Sequence, residues 1–169
     1  SYCSSISSYG KTPFMTRARL IKTAQFPYHI VNRANNQEWF QLPLAQVWDL
    51  TLECLSAAHE KHPFTLHALV LRTNHYHLLV STPDENIDKI MFEFNRRFSE
   101  GLRRATNRIN RMFGSRYKWS LLKDNAYYLN VLKYTYQNPF QLRSSLMVGP
   151  CHGLIQPILA KPKMPFGEV

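Results

Sequence analysis

Phe64-Thr65-Leu66-His67-Ala68-Leu69-Val70-Leu71-Arg72-Thr73-Asn74-His75-Tyr76-His77-Leu78-Leu79-Val80-Ser81 holds two apolar runs split by three polar residues. Its β-branched and aromatic content predicts strands over 64–71 and 75–81, antiparallel and joined by a tight connection at Arg72-Thr73-Asn74. Side chains of a strand alternate faces, so His75 and His77 share one face while Tyr76 and Leu78 share the other. Two imidazoles about 7 Å apart on one face of a rigid sheet are the start of a metal site. A His-x-His pair also arises by chance, so its weight comes from the rest of the chain.

Around this pair the periodicities alternate. Residues 27–33 predict a first strand, and 43–59 an amphipathic helix with Val47, Leu50, Leu52, Cys54, Leu55 and Ala58 as apolar positions. After the two strands, Pro83 to Asp88 opens a second helix, with Asp84 and Glu85 placed for its dipole. Residues 116–122 predict a fourth strand. The order strand-helix-strand-strand-helix-strand predicts an α+β fold, a ferredoxin-like antiparallel sheet with both helices on one face. A further helix follows, starting at Asp124 or Asn125 and stopped by Pro139. From Phe140 on, Pro and Gly are frequent and periodicity is poor, which reads as a tail with little structure of its own.

On that last helix Tyr134 and Asn138 stand i and i+4, stacked on one face, with Tyr127, Asn130 and Val131 near the same stripe. Leu129, Leu132 and Tyr136 make a core side. Spacing alone favours one more packed aromatic at Tyr134. Lys133 faces about 100° away and reads as a surface charge. His29, in the first strand, reads as a satisfied core histidine rather than a member of the site, and His59, His62, His67 and His152 as ordinary residues.

The chain is basic, with 21 Lys and Arg against 11 Asp and Glu, a net charge of +10 that calls for an anionic partner. From residue 96 to 118 the basic residues Arg96, Arg97, Arg103, Arg104, Arg108, Arg111, Arg116 and Lys118 face Glu100 alone. Apolar positions recur at Ile87, Ile90, Met91, Phe94, Phe98, Leu102, Ala105, Ile109 and Met112. On a continuous helix the six arginines from 96 to 111 fill an arc of about 140° opposite that stripe. Gly101 and Asn107 are the two candidate breaks. Charge runs are usually solvated faces, but such faces mix signs, and nearly pure arginine favours phosphate contact.

No apolar run approaches a membrane span, which excludes a membrane protein from the expectation. Three cysteines far apart, Cys3, Cys54 and Cys151, are neither a zinc pattern nor a disulfide framework, and a reducing cytoplasm is the expected setting. Residues 1–14 are Ser-rich and read as a flexible N-terminal extension, 15–139 as one catalytic domain and 140–169 as a C-terminal tail.

Three blocks together resemble a known family. Thr73-Asn74-His75-Tyr76-His77-Leu78-Leu79-Val80 resembles the Pro-Asn-His-x-His-Leu-Leu-Val signature of the small single-tyrosine, insertion-sequence-200-like transposases. Lys133-Tyr134-Thr135-Tyr136-Gln137-Asn138-Pro139 is similar to their Arg-Tyr-Ile-x-x-Asn-Pro signature, and Tyr28-His29-Ile30-Val31-Asn32-Arg33-Ala34-Asn35-Asn36 to their Tyr-His-Val-x-x-Arg-Gly-Asn-Asn block, with Ala34 in place of Gly. The subgroup it resembles most is that of the REP-associated tyrosine transposases, within the His-hydrophobe-His endonucleases.

The resemblance implies the ferredoxin-like fold with the histidines on the open sheet face. It implies a nuclease and strand transferase with Tyr134 as nucleophile and His75, His77 and Asn138 as ligands of Mg²⁺ or Mn²⁺, a mixed N and O set suited to those ions. The substrate it implies is single-stranded DNA of palindromic repeats folded as hairpins, cut through a covalent 5′-phosphotyrosine. Arg33, Arg96, Arg97, Arg103, Arg104, Arg108, Arg111, Arg116 and Lys118 are the expected nucleic-acid contacts, with Tyr117 and Trp119 stacking on unpaired bases. A bacterial, nucleoid-associated protein, monomer or homodimer, fits this expectation. Two rivals stand beside it: a binding module for single-stranded DNA or RNA without catalysis, and an inactive, domesticated transposase.

Overall fold

The computed structural model describes residues 19–124, 129, 130 and 133, and the backbone of 145–148. The chain order is β1 (Tyr28–Arg33), α1 (Leu44–Lys61), β2 (Thr65–Arg72), β3 (His75–Ser81), α2 (Ile87–Thr106), β4 (Lys118–Leu121) and β5 (Ser145–Val148). The strands form a single antiparallel sheet in the order β4-β1-β3-β2-β5. The first four strands and two helices are the expected ferredoxin-like α+β arrangement. β5 corrects the reading of 140–169 as a tail with little structure: it pairs with the outer edge of β2 through Leu69↔Val148 to Arg72↔Ser145. Four residues without marked periodicity are enough to cap an edge, because an edge strand needs only backbone donors and acceptors.

One face of the sheet carries the core. Tyr28 and Ile30 of β1, Leu66, Leu69 and Leu71 of β2, and Tyr76, Leu78 and Val80 of β3 are buried together with Val47, Cys54, Leu55 and Ala58 of α1 and Ile90, Phe94, Phe98 and Leu102 of α2. Tyr76 anchors the central strand. It is wholly buried, and its ring stands edge-on to Phe94 at 5.2 Å and to Phe98 at 6.2 Å, while Phe94 and Phe98 stack on each other. Its hydroxyl donates to Asn95 Oδ1 at 2.7 Å, which also accepts from Asn32 Nδ2 at 3.1 Å, and Asn95 Nδ2 donates back to the Met91 carbonyl at 2.9 Å. The polar tip of the ring is therefore satisfied in a buried setting.

α1 starts at Pro43, whose carbonyl accepts the first helical N–H groups, from Gln46 at 2.9 Å and Val47 at 3.1 Å. α2 keeps Gly101 inside the helix, where a Cβ would come within 2.5 Å of Leu50 Cδ1; the missing side chain lets α1 approach closely. Asn107, not Gly101, ends the helix, at φ 52° and ψ 28°, in the left-handed conformation that asparagine tolerates. The continuous helix expected through Met112 is thus nearly two turns too long. Ile109 turns out to be 95 % exposed while Met112 folds back into the core. Leu129 and Asn130 are helical, as is Lys133, in the segment expected to be the last helix. Leu129, expected on the core side, is exposed, and so is Lys133 as anticipated.

Deleting only the hydroxyl, Tyr76→Phe should cost about 1 kcal/mol, whereas Tyr76→Ala should cost about 4 kcal/mol through the cavity it leaves. Urea unfolding midpoints check both; equal losses would mean that the ring packing contributes nothing beyond the hydrogen bond.

Candidate active site

His75 and His77 lie on the face of β3 opposite Tyr76, half-buried, with ring centroids 5.2 Å apart. Neighbouring strands frame them. Arg33 and Val31 of β1 pair with His75 and His77, and Val70 of β2 pairs with His77 on its other side. A β-bulge between Leu66 and Ala68 shifts the register of β2. Ala68 and Leu79 pack with Leu122 in a small separate cluster, so this face is apolar at the end away from His75.

His29 is not the core histidine that the sequence suggested. It belongs to the same face of β1 as Val31 and Arg33, and its ring stacks on His77, with centroids 5.4 Å apart and planes 14° from parallel. Its Nε2 lies 3.1 Å from His77 Nδ1. His67, read as ordinary, is also half-buried and shares a hydrogen bond with Ser81 Oγ at 2.7 Å. The period-two alternation places His29 on this face and the expected ferredoxin-like sheet sets β1 beside β3; the register that brings His29 to His77 was not legible in the sequence.

The imidazoles are held neutral. Burial lowers His75 to about 4, helped by the positive charges of Arg33 and Arg72. Burial likewise lowers His77 to about 3, with further contributions from His29, His75, Arg72 and Arg33. Burial also lowers His29 and takes His67 to about 4. A neutral imidazole keeps a lone pair, which is the form that ligates a metal. Nδ1 of each histidine of the pair already has a partner, Asn74 Oδ1 at 2.7 Å for His75 and His29 for His77. Among the described residues Nε2 of neither ring has a partner, so this donor pair fits a divalent cation. No group of three His, Cys, Asp or Glu residues able to hold a metal occurs among the described residues, and His29 does not extend the pair into one. The expected nucleophile Tyr134 and the expected ligand Asn138 lie outside the described residues.

The loop after β1 braces the turn that carries these histidines. Ala34 N donates to the Asn74 carbonyl and Phe40 N to the Thr73 carbonyl, both at 2.8 Å. Ala34 has φ −57°, so the position needs no glycine; the positive-φ residues of this loop are Asn36, Gln37 and Gln41. Asn74 Nδ2 donates to the carbonyl of Gln37 at 2.9 Å.

The arginines do not form one face. Glu93, just before the run and nearly buried, receives Arg97 Nε at 2.6 Å, Arg96 Nη2 at 3.0 Å and Lys61 Nζ at 3.3 Å. The hydrogen bond from Arg97 is the largest reason that its carboxyl is held down to about 2. Glu100 pairs with Arg104, and Glu38 with Arg108 at 2.6 Å. Arg33, Arg103, Arg111, Arg116 and Lys118 are exposed and have no carboxylate partner among the described residues. A cavity of about 1140 Å³ between α2 and the 108–117 segment is lined by Arg96, Arg103, Arg108, Arg111 and Arg116. Its wall includes Asn32 and Asn95, which belong to the helix side of the sheet, away from the histidine pair. Tyr117, expected to stack on bases, is buried, and Trp119 packs against the core; among the described residues the exposed aromatics are Trp39 at 71 % and Phe92 at 68 %. Sequence patterning did not single these two out, since isolated aromatics in polar or helical runs look like core.

The lowered histidine values set a pH dependence with a definite sign. An unfolded histidine titrates near 6.5, so between that value and about 4 the unfolded chain takes up protons that folded His67, His75 and His77 refuse. This stability is fully present above pH 6.5 and is lost as pH falls toward 4 for His67 and His75 and toward 3 for His77. The urea midpoint should fall over that window, and the fall should be shallower in His75→Gln/His77→Gln. A midpoint that is flat or rises on acidification would contradict these surroundings.

The model of one protein family, described as transposase IS200 like, matches residues 22–138. Among solved structures, the chain is similar to a REP-associated tyrosine transposase bound to a REP hairpin, with a TM-score of 0.63 and 17 % identity over 75 % of this chain and 74 % of that one. A transposase candidate from Deinococcus radiodurans aligns with a TM-score of 0.48 and 15 % identity over 72 % of this chain and 94 % of that one. Comparison with curated protein sequences finds no match. No described helix is long and apolar enough to cross a membrane. The match spans the first two sequence blocks in chain order, the third through Asn138, and the strands that carry and flank His75 and His77, and the chain belongs to the IS200-like transposase family.

Proposed function

We propose that the protein is a metal-dependent tyrosine transposase that cleaves and rejoins single-stranded DNA folded as a hairpin. The observation that carries this reading is the pair His75 and His77 on the open sheet face, neutral and with Nε2 of each ring available. Binding alone requires no such pair. The similar fold of a REP-associated transposase solved with a REP hairpin supports a palindromic repeat as substrate.

In this reading His75 and His77 hold Mg²⁺ or Mn²⁺, and the Asn138 side-chain oxygen completes the protein ligands. The chemistry that a bound ion supplies is charge neutralisation at the scissile phosphate. The Tyr134 oxygen attacks phosphorus, a Tyr–O–P bond forms, and the bond from phosphorus to the 3′-oxygen breaks. The phenol proton leaves with the departing 3′-oxygen or to solvent, and the 3′-OH later attacks the phosphotyrosine to reseal the strand without ATP. Arg33 lies beside His75 on the same face and is placed to draw a phosphate to it. On the other side of the sheet Arg103, Arg111 and Arg116 would hold more distant backbone. Arg108 Nε and Nη1, buried without partners among the described residues, would meet an oxygen of the same strand. A cytoplasmic, nucleoid-associated protein is the setting this function calls for.

Incubation with a labelled single-stranded hairpin and Mn²⁺ should give a denaturation-resistant adduct on the 5′ end of the released fragment, with a free 3′-OH on the other. Tyr134→Phe should bind the hairpin as wild type and give no adduct. His75→Ala or His77→Ala should abolish cleavage, and Asn138→Ala should weaken it less, with partial rescue by saturating Mn²⁺. Hairpin binding without an adduct in the wild-type protein, at any Mn²⁺ concentration, would make the chain a binding descendant and sink the catalytic reading.

Charge reversal distinguishes the two sets of arginines. Reversing Arg103, Arg111 and Arg116 should flatten the slope of log affinity against log salt by roughly 0.7 for each lost phosphate contact. Reversing Arg97 and Arg104, which are already paired, should change that slope far less. Equal slopes would mean that the unpaired arginines face only solvent.

A further inference from the structure

We infer that Asn74 and His29 are positioning residues that select the tautomer of His75 and His77, so that both rings carry their proton on Nδ1 and turn a bare Nε2 to the ligand. This rests on the metal-site reading above, since ligation by His77 is what chooses between its two proton arrangements.

The His75 side follows from a hydrogen-bond chain with no free choice in it. The Gln37 carbonyl can only accept, so the Asn74 atom 2.9 Å from it is the amide nitrogen. The Asn74 oxygen then faces His75 Nδ1 at 2.7 Å and, being an acceptor, requires a proton there. A neutral imidazole has one N–H, so His75 Nε2 is unprotonated. The carbonyl that starts the chain sits in the left-handed turn at Asn36 and Gln37, and the Asn74 and Thr73 carbonyls are tied to Ala34 N and Phe40 N. The loop after β1 therefore acts on the site through Asn74, without reaching the histidine itself.

The His77 side has two arrangements. His29 Nε2 and His77 Nδ1, 3.1 Å apart, share a single proton. If His29 donates, His77 carries its own proton on Nε2 and cannot ligate. If His77 donates, its Nε2 is bare and His29 is protonated on Nδ1. The near-parallel stacking of the two rings holds the contact in either case. A metal ligand that donates its second ring nitrogen to a fixed acceptor is both oriented and made more basic, and removing such an acceptor commonly weakens metal binding 10- to 100-fold.

Two-bond ¹H–¹⁵N spectra of the imidazoles, recorded above pH 7 before and after Mg²⁺ is added, read the tautomers directly. His75 should be Nδ1–H in the wild-type protein without metal, and His77 should be Nδ1–H once Mg²⁺ is bound. Without metal, Asn74→Leu should release His75 to the Nε2–H form, and Asn74→Leu and His29→Leu should each weaken Mn²⁺ affinity by about tenfold or more. Asn74→Asp and His29→Gln keep an acceptor oxygen, and each should keep the Nδ1–H tautomer and stay within about threefold of wild-type Mn²⁺ affinity, a rescue that a purely structural role would not show. Nε2–H at His75 in the metal-free wild type, or at His77 with Mg²⁺ bound, overturns the inference, as does an unchanged His75 tautomer in Asn74→Leu or unweakened Mn²⁺ binding in His29→Leu. The metal-site reading fails separately, if His75→Ala and His77→Ala bind Mn²⁺ as tightly as wild type.

Discussion

The alternation of β3 is the constraint on which the rest of the structure depends. Tyr76 is wholly buried against Phe94 and Phe98, with its hydroxyl held by Asn95. A slip of one residue in this strand would exchange the faces, bringing two imidazoles into an aromatic core and a tyrosine to the open side. The aromatic packing thus specifies the register of the central strand, and the register delivers His75 and His77 to one face, between β1 and β2. The helix layer holds the histidine pair in place without touching it.

Electrostatics divide the molecule in the same way. On the open face, Arg33 and Arg72 surround imidazoles that burial already keeps neutral, so the local field is positive and suits a phosphate. On the helix side the basic run is partly spent inside the protein. Glu93 holds Arg96, Arg97 and Lys61, and Glu100 holds Arg104, so these cations brace α2 and its contact with the end of α1. Arg108 leaves the helix at Asn107 and reaches Glu38, linking the segment after α2 to the loop after β1. Counting charges overstates the surface available to nucleic acid, because a nearly buried carboxylate outside the run absorbs part of it.

Fold class and the facing of the two histidines were legible in the sequence because both follow from local periodicity. The two apolar runs at 64–81, the face alternation that any strand imposes, and the 3.6-residue recurrence from Ile87 to Leu102 need no knowledge of what packs where. Four strands and two helices lie where those patterns put them. The end of α2 was less legible. Apolar spacing continues through Ile109 and Met112, yet one left-handed asparagine turns the chain, a local conformational choice that periodicity does not record. The edge strand at Ser145–Val148 was hidden for a related reason: it is recruited by the open backbone of β2, and backbone pairing leaves little trace in side-chain pattern.

By itself, the sequence determined the class of the sheet, the shared face of His75 and His77, the basic character and the family blocks, all of which are written in residues near one another along the chain. Only the tertiary structure decided what surrounds that face. His29 meets His77 across 48 positions of chain, and Gln37 meets Asn74 across 37, because β1 lies next to β3 in the sheet. Pairings of that kind depend on strand order, which emerges when the helices bury their apolar stripes on a common face. A histidine that looks like core and an asparagine that looks like turn become parts of one hydrogen-bonded site because folding sets distant backbone side by side.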